Sequence, residues 1–87
     1  MTGHARSTAR EVHELLIEAR PEANNVNLVK AAHLAEAAGA PGDRFQMETF
    51  VAIRNIETAI ESGSGAAELK SLLKHAVKVA EHWATAA

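Results

Sequence analysis

Apolar residues recur every three or four positions along most of the chain. That is the spacing of an amphipathic helix, and no segment shows the two-residue alternation of a strand. Four such segments stand out. In the first, Val12, Leu15, Leu16 and Ala19 share one face. In the second, Leu28, Ala31, Leu34, Ala35 and Ala38 do so. The third carries Phe45, Ala52, Ile53, Ile56, Ala59 and Ile60, and the fourth Leu69, Leu72, Leu73, Ala76, Val77, Ala80 and Trp83. The pattern predicts helices over about 8–20, 24–38, 44–62 and 66–85, with a frayed N-terminus at 1–6 and one helical domain over 7–87. Four helices joined by short loops favour antiparallel neighbours, so the expected fold class is all-α, a small four-helix bundle.

The boundaries carry their own chemistry. Ser7 or Thr8 can cap the first helix, with Glu11 completing a capping box from Thr8. Pro21 pushes Arg20 out of the helical region, and either kinks one long helix or separates two. Asn24 can cap the second helix. Gly39 suits a left-handed C-terminal cap, with Pro41 beyond it. Asp43 can cap the third helix, with Gln46 three residues on. Ser62-Gly63-Ser64-Gly65 is the second clear break.

At about 100° per residue, some large apolar side chains miss the stripe that faces the core. Ile17 falls among Arg6, Arg10 and His13. Val26 and Val29 lie opposite or beside the Leu28 stripe, close to His33. Met47, Phe50 and Val51 lie away from the Ile53–Ile56–Ile60 face. Two arrangements account for them. Either they merge into an interaction patch with His33 at its edge, or a tight bundle wraps the third helix and buries them all.

Composition sharpens the choice. Of 41 apolar residues 19 are alanine, and Phe45, Phe50 and Trp83 are the only aromatic side chains. Alanine favours helix but brings little area to bury, so an 87-residue bundle of this kind expects extra burial against another chain. The formal net charge of −2 lacks the electrostatic footprint of a nucleic-acid binder. The chain has no cysteine, which excludes disulfides and thiolate chemistry. No apolar run approaches the roughly 18 residues of a membrane span, and the first ten residues lack a signal-peptide core. A soluble cytoplasmic protein is therefore expected, and the alanine-rich composition suggests a bacterial or phage origin.

Candidate chemistry is sparse. No two of His4, His13, His33, His75 and His82 have the i, i+3 or i+4 spacing of helix-borne metal ligands. His75 and His82 share a flank of the fourth helix but stand two turns apart, roughly 10 Å along the axis. They make a histidine-based ligand or metal binder one alternative. The segment His33-Leu34-Ala35-Glu36-Ala37 resembles the histidine phosphotransfer domains, four-helix bundles with a surface histidine. Glu36 stands where that family has a lysine and Ala37 where it has a glycine, so the resemblance stops at helices and a histidine. Leu34 to Gly39, followed by Phe45, is similar to the first half of a helix-turn-helix. A DNA-binding regulator using Arg44 to Glu48 is thus a second alternative, opposed by Asp43 and Glu48, which would repel phosphates.

Lys70, Lys74 and Lys78 form a cationic stripe, and Glu11, Glu14 and Glu18 an anionic one. Both read as solvated faces. There is no nucleophile–base pattern, phosphate loop or metal-spaced carboxylate set, so no enzyme and no cofactor is expected. The expectation is a non-enzymatic protein–protein interaction module, an accessory subunit, adaptor or inhibitor. It would act through Ile17, Val26, Val29, His33, Met47, Phe50 and Val51, chiefly on the second and third helices. Self-association or a protein partner is expected, nucleic acid and membrane are not.

Overall fold

The computed structural model describes residues 3–38 and 43–86, with side chains described from Ser7 onward. Among these residues there are four helices and no strand: α1 (Gly3–Glu18), α2 (Val26–Ala37), α3 (Arg44–Glu61) and α4 (Ala66–Ala86). Helix α1 packs on α2 and α4, and α3 packs on the same two helices. The helices thus form a ring of sequence neighbours around one core, within 38 × 22 × 18 Å. The fold is the small all-α bundle that the apolar spacing predicts.

Helix α1 begins at Gly3 rather than near residue 8, so Ser7 and Thr8 lie inside it and the Thr8–Glu11 capping box is not its start. Its capping signal is real in composition, but the preceding residues continue the helix. Helix α1 ends at Glu18, and seven residues separate it from α2, so Pro21 divides two helices rather than kinking one. Within that connection Asn24 adopts φ +60°, a left-handed conformation that asparagine tolerates better than most residues. The cap of α2 is consequently Asn25, one residue later than expected, whose side-chain Oδ1 accepts from the Leu28 N–H at 3.2 Å. The predicted cap at Gly39 and the break at Pro41 lie outside the described residues.

Asp43 caps α3 as predicted, its Oδ1 accepting from the Gln46 N–H at 3.1 Å. The other half of the expected box is different. The Gln46 side chain is buried, and its Nε2 donates to the Ala35 carbonyl in the last turn of α2. Carbonyls of a last helical turn have no intrahelical partner, so this bond satisfies one of them and ties the end of α2 to the start of α3. Thr49 is also fully buried, its hydroxyl donating back to the Phe45 carbonyl at 2.8 Å. At the far end of α3, Gly63 takes φ +75°. Its N–H donates to Ile60 while that of Ser64 donates to Ala59, at 3.1 and 3.0 Å, the paired bonds of a Schellman cap.

Nine of the sixteen apolar residues buried among the described residues are alanine, which sets how the core is filled. Val12, Leu16, Ile53, Ile56 and Trp83 supply its bulk. Trp83 is 1% exposed and its indole Nε1 has no hydrogen-bond partner among the described residues. Val79, absent from the stripe read from the sequence, is also buried. Leu69, Leu72, Leu73, Leu34, Phe45 and Ile60 are only half-buried, since bundle helices meet their neighbours along edges that stay partly wet.

Because the Gln46–Ala35 bond is buried, Gln46→Ala is expected to cost about 1–3 kcal/mol, the penalty of an unsatisfied buried carbonyl. The exposed control Asn55→Ala should change stability by under about 0.5 kcal/mol. Urea unfolding followed by the fluorescence of Trp83, the one tryptophan, checks both.

Candidate interaction surface

The large apolar side chains that remain exposed among the described residues are Ile17, Val26, Val29, Met47 and Val51. Each comes from a position that the helical angle sets off the core stripe. The first residue of α2, Val26, is 75% exposed; Met47 and Val51 on α3 are 56% and 47% exposed. The tight wrapping that would have buried them does not occur, because α3 has only α2 and α4 as close neighbours. Two helices cover the inward side of a third and leave its outward side bare.

Phe50 differs from the rest. It is half-buried and packs against the core cluster, so its ring contributes to the bundle as well as to the surface. Its edge lines a groove between α2 and α3 together with Val29, Ala32, His33, Arg54 and Glu57. His33 is exposed there, beside both apolar side chains. A second groove runs between α3 and α4, where Met47, Val51 and Ala52 face His75 and Val79. The two grooves flank α3. Its outward face and the adjoining edge of α2 therefore gather Val29, His33, Met47, Phe50 and Val51.

Ile17 does not join them. Helix α1 packs on α2 and α4, and Ile17 lines a shallow depression with Glu11, Glu14, Leu15 and Glu18. Carboxylates wall this depression, on the same helix that carries Arg10 and His13. The Arg6 side chain lies outside the described residues. An apolar residue ringed by three glutamates is an isolated exposure of the ordinary kind.

The charges around α3 are locally paired. Arg44 meets Glu48 at 2.9 Å and Arg54 meets Glu57 at 3.4 Å, both within α3. Lys30 of α2 reaches Glu11 of α1 at 3.8 Å. The basic groups nearest the helix-turn-helix-like segment thus each have a carboxylate beside them, which offsets the positive field that a DNA duplex would require. His75 and His82 are both exposed, and His75 alone lines the α3–α4 groove. No group of three or more His, Cys, Asp or Glu among the described residues is placed to hold a metal ion. No described helix is long and apolar enough to cross a membrane.

Arg54, Glu57, His75 and Val79 line these grooves without having been singled out for them. A wheel drawn for one helix gives an angle but not the neighbour beyond it. The pairing of α3 with α4 decides that Val79 and His75 stand opposite Met47 and Val51.

Substitution separates surface from core on this face. Val51→Ser and Met47→Gln are expected to lower the stability of the chain in dilute solution by no more than about 1 kcal/mol, since only about half of each side chain is covered. Phe50→Ser should lower it by about 2 kcal/mol, since part of that ring is packed inside. Chemical denaturation of the three variants checks the difference. No protein-family model, no curated protein and no solved structure matches the chain.

Proposed function

We propose that this protein is a non-enzymatic helical interaction module, an accessory subunit, adaptor or inhibitor that buries the outward face of α3 and the adjoining edge of α2 against protein. One observation carries the reading: Val29, Met47 and Val51 stand exposed around α3 with the edge of Phe50 between them. Methionine and phenylalanine are side chains favoured at protein contacts. His33 and Glu57 supply polar groups at the rim.

The energetics fit a contact that forms and releases. Full burial of a large apolar side chain from full exposure contributes about 1.5–3 kcal/mol. Met47 and Val51 stand about half out of water, so each offers roughly half of that on being covered. The core has the complementary shortage, being built mostly of alanine. Covering α3 therefore adds bulk where the isolated bundle has least.

A photo-activated cross-linking residue placed at position 51, in the cells that make the protein, tests this directly. Covalent protein adducts are expected from position 51 and not from position 70, which is exposed on α4. Equal adducts from both positions, or none from position 51, would contradict the reading.

A further inference from the structure

The outward face of α3 has an order of its own. Arg44, Met47, Val51, Arg54, Thr58 and Glu61 follow one another at alternating three- and four-residue spacing, and every one of them is exposed. Positions at that spacing stay on one side of a helix, the side that a second helix running along it would meet. The seam carries Met47 and Val51 in its first half and Arg54 and Thr58 in its second, and it is oppositely charged at its ends, Arg44 at the start of α3 and Glu61 at its last residue.

We propose that a second copy of this chain covers this face, the two α3 helices running antiparallel about a two-fold axis. The proposal rests on the interaction reading above and names its partner. Its warrant is charge complementarity. A parallel pairing would set Arg44, Arg54 and Glu61 each against its own copy, three repulsive contacts. The antiparallel pairing sets Arg44 against the partner's Glu61, Met47 against the partner's Thr58, and Val51 against the alkyl stem of the partner's Arg54. Under two-fold symmetry each contact occurs twice. No two directly opposed positions of that seam carry like charges.

The neighbouring ion pairs do not obstruct it. Arg44–Glu48 and Arg54–Glu57 are exposed on the helix surface, and such pairs contribute little, so Arg44 exchanges or shares its carboxylate at low cost. Flanking the seam, the Phe50 edge and Val29 add apolar area on one side. With two large apolar side chains per copy on the seam itself, the dimer is weak and forms with rising concentration.

Sedimentation equilibrium of the pure chain, from micromolar to millimolar concentration, reads the association. The wild-type chain is expected to pass from monomer to dimer. Arg44→Glu should raise the dissociation constant by about tenfold, by opposing two carboxylates in each of two contacts. It should not harm the fold, since a carboxylate in the first turn of a helix is favoured by the helix dipole. Adding Glu61→Arg to Arg44→Glu should return the constant to within about twofold of wild type, since the paired charges are then reversed together. A strict monomer throughout, an unchanged constant in Arg44→Glu, or no recovery in the double variant would each overturn the antiparallel pairing. If the pure chain stays monomeric while position 51 captures a different protein, this inference ends and the interaction reading stands. Absence of both dimer and adduct would end the two together.

Discussion

The structure turns on a core that is mostly alanine. Small side chains let four helices approach closely, but they leave little apolar area to remove from water, and hydrophobic stabilisation scales with that area. The bulk that does exist is concentrated in Val12, Leu16, Ile53, Ile56 and Trp83. The large residues that are fully buried are few and lie on narrow inward stripes. Polar groups have been recruited to hold what packing alone does not: Gln46 bridges the end of α2 to the start of α3, and Asn25 and Asp43 fix where the two helices begin. Those anchors set the relative position of α2 and α3, and with it the groove in which Val29 and Phe50 meet.

The same constraint explains why the surface of α3 stands out. A ring of four helices gives every member two close neighbours and one open side. On α1 the open side carries Glu11, Glu14 and Glu18, and on α4 it carries lysines and histidines. On α3 it carries Met47 and Val51 between Arg44 and Glu61. In a chain short of apolar bulk, large side chains placed outward weaken the economy of the isolated bundle and gain their stabilisation only when covered. The functional proposal is an extension of the packing argument, with the uncovered side of α3 as the place where the missing burial is recovered.

Much of the fold was legible because helical spacing is a local property. The four segments, the Asp43 cap and the break at Ser62–Gly65 follow from residue type and period alone. The start of α1 was not, because a capping signal at Thr8 marks a permitted helix start and not an obligatory one. The Asn24 cap moved to Asn25 because the left-handed turn at Asn24 follows from how the chain leaves Pro21, which no single residue dictates. The spacing of Gln46 from Asp43 points to a local cap, whereas its role across the α2–α3 junction depends on the tertiary approach of Ala35. The surface was legible in angle and not in grouping. The outward angles of Val26, Val29, Met47 and Val51 follow from the wheel. The separation of Ile17 from Val29, Met47 and Val51, the partial burial of Phe50 and the facing of His75 and Val79 required the order of helices around the ring.

The thioether of Met47 offers the most direct measure of whether this face is covered at work. Its oxidation by peroxide tracks the access of solvent to the sulfur. Comparison of that rate in the cell and in the dilute purified chain, resolved by mass spectrometry, isolates the face from the rest of the bundle. Marked protection of Met47 in the cell is the result expected of a side chain held against protein. Equal rates in the two settings would contradict it, and would leave the outward side of α3 as bare surface.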